Sequence, residues 1–142
     1  MKELCKYTDA ANIDLKSMRD KFYRDVCDAT LKPVLDTLVL AKDSGVMVEV
    51  TNLIITSLND SDNDLKMLCQ WVFKNLGVDT SLHFSRFHPN CKIRKIAPTS
   101  SLTLKRASEN CDGRRSKICI CWQCSHKRRR NNLLSEMPKT TY

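Results

Sequence analysis

Residues 46–55, VMVEVTNLII, constrain this chain more than any other stretch. The run is β-branched and almost continuously apolar. That is the pattern of a strand covered on both faces, and such strands belong to parallel sheets whose crossovers are helices. The flanks agree. Before the run, Leu31, Val34, Leu35 and Leu38 recur at i, i+3, i+4 and i+7 and predict a helix over 31–44, with Pro33 in its first turn and Gly45 at its end. After it, Ser61 with an acid three residues on resembles a capping box. Leu65, Leu68 and Val72 carry a helical stripe to about Leu76, and Gly77 stops it. AANIDL at 10–15 predicts an earlier strand, 18–28 a short helical piece, and LHFSRF at 82–87 a third strand. A last helix starts near Thr99 or Ser100.

The expected fold class is therefore α/β, with about three βα units paired in parallel through right-handed crossovers. Such a chain makes either an open doubly wound sheet or part of a β/α barrel. Three strands can neither close a barrel nor cover a sheet. The first strand also begins within ten residues of the start, so the remainder of the fold is expected upstream of this chain.

A length of 142 residues suffices for one domain with a core. No run of 18 apolar residues exists, and MKELCKYTDAA lacks the apolar stretch of a signal peptide. The expectation is a soluble cytoplasmic protein with no membrane partner, whose eight cysteines are thiols or metal ligands rather than disulfides. Asn59-Asp60-Ser61 fits a glycosylation sequon that has no use there. Charge divides the chain. Residues 1–107 hold 16 basic and 13 acidic side chains, whereas 108–142 hold 8 and 3, together with four of the eight cysteines. A boundary near residue 107 follows.

In βα units, function gathers where strands end. Asp14 and Lys16 lie at the end of the first predicted strand, Thr51 and Asn52 late in the second, Arg86 and His88 at the end of the third. Together they suit an anionic or zwitterionic ligand. No glycine-rich phosphate loop is present, so a nucleotide gripped by backbone amides is not expected. The tail admits another function. Cys119, Cys121 and Cys124, with Cys111 and His126, could hold zinc, and Lys127–Arg130 could bind nucleic acid. On that alternative the chain is a small α/β binding protein with a zinc-held basic tail, although only Cys121 and Cys124 form a C-x2-C pair.

The strings AANIDLKS, FYRDVCDATLKPVLDTL, VEVTNLIITSLNDSDNDL and LHFSRFHPNCK resemble the second half of a radical S-adenosylmethionine (radical SAM) protein. The type is similar to pyruvate formate-lyase activating enzymes, within the AmmeMemoRadiSam branch named for its association with Memo and AMMECR proteins. The resemblance covers 1–107 and implies a partial β/α (TIM-like) barrel. It further implies that Lys16, in the Asp-Leu-Lys motif begun by Asp14, and His88 help to hold S-adenosylmethionine. With Asn52 beside them, these are the expected cofactor-binding residues. Thr56-Ser57 replaces the family's usual Pro-Gly or Pro-Thr, and Asn90-Cys91 its Asp-Tyr.

The family's C-x3-C-x2-C loop, which holds a 4Fe-4S cluster and thereby the electron source, is absent. Cys5, Cys27, Cys69 and Cys91 are scattered, and the C-x1-C-x2-C of Cys119, Cys121 and Cys124 has the wrong spacing and place. The resemblance thus implies a fragment without metal or catalytic residues, inactive alone. Its partners would be the missing N-terminal half of the barrel and, by family association, Memo-like or AMMECR-like proteins. Residues 117–124, KICICWQC, read one nucleotide later with permitted codons, give KYVYVGN. Ser125–Tyr142 then give VPTKGEETTYCPKCPKLL, which is similar to the family's last strand and terminal YCPxC. The tail 108–142 is accordingly expected to be out of frame, irregular and disordered, and its basic run to bind nucleic acid only non-specifically.

Overall fold

The computed structural model describes residues 1–90, 93–112 and 119–121, with Asp112 and the last three as backbone. Among the described residues nine elements follow one another: α1 (Lys2–Cys5), β1 (Ala10–Asp14), α2 (Asp20–Cys27), α3 (Leu31–Asp43), β2 (Met47–Ile54), α4 (Asp62–Leu76), β3 (Ser81–Arg86), α5 (Ser101–Asp112) and β4 (Cys119–Cys121). The strands form one parallel sheet in the order β1-β2-β3-β4.

Local chemistry sets the boundaries. Ser61 caps α4, its Oγ accepting from the Asp64 N–H at 3.1 Å while it donates to the Asp64 carboxylate at 2.6 Å. Arg19 adds an ion pair to that carboxylate at 2.9 Å, which ties the start of α2 to the start of α4. Gly45 and Gly77 end α3 and α4 at φ of 83° and 92°, a backbone region that costs glycine little. Asp20 accepts from the Leu31 N–H at the head of α3. That bond and the Arg24 guanidinium hold the Asp20 carboxyl below the usual carboxylate range.

Among the described residues the apolar run at 46–55 is covered on one face only. Burial alternates along β2: Val48, Val50, Asn52 and Ile54 are buried, whereas Met47 is exposed and Glu49, Thr51 and Leu53 are half-buried. Leu38 of α3, Leu68 and Val72 of α4, and Leu104 of α5 close over Val50, Ile54, Leu82 and Phe84. A second cluster, Phe22, Tyr23, Ile55 and Phe87, lies where β2 and β3 end. A β-branched run does not by itself distinguish one covered face from two. The alternating Glu49 and Thr51 carried that information.

Two further features depart from the sequence reading. Cys69 of α4 and Cys111 of α5, both fully buried, are joined in a disulfide with Cα atoms 5.9 Å apart, inside the usual range. The expectation of unpaired thiols is corrected for this pair. The tail is also not wholly irregular. α5 runs past residue 107 to Asp112, and Cys119–Cys121 pairs with Leu82–Phe84 as β4. The side chains of Cys119, Cys121, Cys124, His126 and Lys127–Arg130 lie outside the described residues, as does Cys91. No helix among the described residues is long and apolar enough to cross a membrane.

Candidate functional site

The ladder hydrogen bonds of β1 end near Asp14, and the Leu15 N–H still reaches the Thr51 carbonyl at 2.9 Å. Lys16 follows. Its ammonium pairs with the Asp14 carboxylate at 2.9 Å, and its side chain is only 28% exposed. The two residues of the Asp-Leu-Lys motif therefore act as a unit at the strand end.

The main chain of Lys16 is gripped by three side chains. Its N–H donates to the Tyr23 hydroxyl at 3.0 Å. Its carbonyl accepts from Asn52 Nδ2 at 3.0 Å and from Asn59 Nδ2 at 2.6 Å. Asn52 Nδ2 also reaches the Leu15 carbonyl at 2.7 Å. Asn59 Nδ2 donates to the Leu53 carbonyl at 3.0 Å, and its Oδ1 accepts from the Ile55 N–H at 2.6 Å. Burial raises the Tyr23 phenol above its ordinary pKa, with the bond from the Lys16 N–H acting in the opposite direction. Burial likewise raises the Cys27 thiol, against the lowering charge of Lys16.

Asn52 thus stands one step behind the site. Its side chain shares the helix-covered parity of Val50 and Ile54, is 1% exposed, and spends its amide nitrogen on backbone carbonyls. Its Oδ1 is buried without a hydrogen-bond partner. Asn59, seen in the sequence only as a sequon, is 3% exposed with its amide bonded, so it presents nothing to modify.

At the end of β3, Arg86 Nε donates to the Thr99 carbonyl at 2.8 Å. Thr99 is fully buried. Its hydroxyl accepts from the Phe87 N–H at 2.9 Å and donates to the Ile54 carbonyl. His88 comes next and is exposed. Because β2 lies between β1 and β3, the ends that carry Lys16 and His88 stand about 10 Å apart, two strand spacings. The structure brings Asp14, Lys16 and Asn52 into contact and sets His88 across the same end of the sheet.

The sequence reading singled out Asp14 and Thr51 but missed the polar row they join on the face that the helices leave open. Register aligns Asn12 with Glu49, and Asp14 with Thr51 and His83. Thr51 Oγ1 donates to Asn12 Oδ1 at 2.8 Å, and Asn12 Nδ2 lies 3.5 Å from Glu49 Oε2. Glu49 Oε2 is also 3.2 Å from His83 Nε2. Both His83 ring nitrogens are buried without a hydrogen bond, so this is proximity rather than a directed bond. The period-two pattern of VEVTNLI marked Glu49 and Thr51 as sharing a face. The cross-strand partners Asn12 and His83 needed the register.

No three His, Cys, Asp or Glu among the described residues come together as a metal site. A 4Fe-4S cluster therefore does not fit the described residues.

No family model matches the sequence. Over 99 residues the chain is 52% identical to the uncharacterized protein MJ0808 of Methanocaldococcus jannaschii, a match that covers 70% of this chain and 29% of that protein. The chain thus spans under a third of the length of this curated relative. A crystal structure of a domain of pyruvate-formate lyase-activating enzyme from Bacteroides vulgatus superposes with a TM-score of 0.72 at 15% identity, covering 83% of this chain and 70% of that one. The fold is that of a pyruvate-formate lyase-activating enzyme domain.

Proposed function

We propose that this chain is the C-terminal part of a radical S-adenosylmethionine protein of the AmmeMemoRadiSam-associated branch, that it works in the cytoplasm, and that Asp14, Lys16 and His88 face S-adenosylmethionine. The observation that carries the reading is the Lys16–Asp14 pair. It holds a positive and a negative charge 2.9 Å apart at a strand end, in the fold of an activating-enzyme domain. An amino-acid zwitterion has the complementary pair of charges, a carboxylate for the ammonium and an ammonium for the carboxylate. The exposed imidazole of His88 can add a donor or acceptor from the neighbouring end.

The sheet supports the barrel reading over the doubly wound one. A doubly wound sheet changes direction at a switch point and carries helices on both faces. This sheet runs in sequence order, with the cores of α3, α4 and α5 on one face and a polar row on the other, as a barrel segment does. The C-x3-C-x2-C cluster loop belongs, on this reading, to the remainder of the protein. Partners are that remainder and, by family association, Memo-like or AMMECR-like proteins. A cluster held by that remainder would supply the electron for cleavage of S-adenosylmethionine. This chain binds and orients the ligand.

Anaerobic reconstitution with iron and sulfide tests the division of labour. The chain alone is expected to yield no 5′-deoxyadenosine above a no-protein control. The chain joined to a family N-terminal half bearing C-x3-C-x2-C is expected to yield it. Product from the chain alone, or a joined protein that builds its cluster yet gives none, would overturn the proposal.

A further inference from the structure

We propose that Tyr23, Asn59 and Thr99 are positioning residues that lock the three strand ends together and so fix where Lys16 and His88 stand, an inference that rests on the reading of those two as ligand-binding residues. Strand pairing ends near Asp14, Ile54 and Arg86. Beyond those points the backbone loses its ladder partners, and an unassisted loop would take them from water and move. Here buried side chains take over. Tyr23 receives the Lys16 N–H. Asn59 spans from the Lys16 carbonyl to the Leu53 carbonyl and the Ile55 N–H, joining the first strand end to the second. Thr99 spans from the Ile54 carbonyl to the Phe87 N–H, joining the second to the third. Its own N–H adds a bond to the Phe87 carbonyl at 3.1 Å.

The three side chains are 3%, 3% and 0% exposed, so they act away from solvent, where a satisfied hydrogen bond holds its geometry firmly. What they hold is exposed or half-exposed: Lys16 in front of Tyr23 and Asn59, His88 directly after Phe87. Apolar side chains would fill the same space at lower desolvation cost but would leave the backbone groups of the strand ends without partners. Polar residues at these positions convert a mobile rim into a fixed one, which is what a preorganised ligand site requires.

The test uses the whole 142-residue chain and needs no ligand. Tyr23→Phe removes one oxygen. It is expected to speed exchange of the Lys16 amide about tenfold relative to the core amide of Val50, the effect of losing one net hydrogen bond. In a chain with 13C-dimethylated lysines, the Lys16 resonance should move toward that of exposed Lys66. Thr99→Val should do the same to the Phe87 amide, and Thr99→Ser should restore the parent rate, so either site suffices should the other variant not fold. If the Lys16 and Phe87 amides keep their parent ratio to Val50 in these variants, with the Lys16 resonance unmoved, the three residues only support the fold and the proposal is wrong. A Lys16→Ala protein that keeps its ligand affinity would instead sink the ligand reading and leave this result standing.

Discussion

Replacing Asn59 by alanine is expected to destabilise the chain by about 3 kcal/mol, the cost of two buried backbone groups left without partners. The Ile55 N–H and the Leu53 carbonyl both depend on this amide, whereas the Lys16 carbonyl keeps Asn52. The side chain is 3% exposed, so water does not replace it readily. Asn59→Asp is a sharper probe. It keeps the shape and the acceptor for Ile55 but turns two donors into an acceptor charge aimed at carbonyls, and it should cost at least as much at neutral pH. Urea denaturation reads both. An alanine variant within 0.5 kcal/mol of the parent, a surface-substitution range, would show that the strand ends do not need this residue.

The second large effect concerns Cys69 and Cys111. They are 42 residues apart in sequence, and closing a loop of that length is worth about 4 kcal/mol through the entropy of the unfolded chain. Both residues sit at 0% exposure between α4 and α5, so the bond fixes the last described helix onto the core. A Cys69→Ala, Cys111→Ala double variant, or the parent in strong reductant, should lose stability of that order. Alkylation of the unfolded, unreduced chain should leave both cysteines unlabelled. Full labelling of both, with no effect of reductant on the unfolding midpoint, would contradict the pairing. Cys111 falls in the segment expected to be out of frame, so the bond would then join a residue of the original frame to one created by the shift.

How much was legible depended on whether a property was local. The helix over 31–44, the Ser61 cap with its acid at Asp64 and the stop at Gly77 are near-neighbour chemistry, and the structure has α3, α4 and their ends within a residue or two of expectation. The parallel order follows from alternation of strands and helices. What was not legible is direction. Asp14, Lys16, Asn52 and His88 looked alike as polar groups at strand ends, yet Asn52 points into the helix-covered side and serves the backbone. Its even-numbered parity with Val48, Val50 and Ile54 was the available clue. Tyr23, Asn59 and Thr99 gave no sign, because their partners are main-chain groups 7, 43 and 45 residues away. The approach of Glu49 to His83 depended on register, and the Cys69–Cys111 bond on how α4 and α5 dock.

Calorimetric titration of S-adenosylmethionine into the chain joined to a cluster-bearing N-terminal half tests the central claim most directly. The joined protein should bind. Lys16→Ala and His88→Ala should each weaken binding about tenfold or more, the loss of a charge-assisted hydrogen bond, with the cluster absorbance unchanged. If both variants bind like the parent, the strand-end pair and the histidine across from it do not form the ligand site.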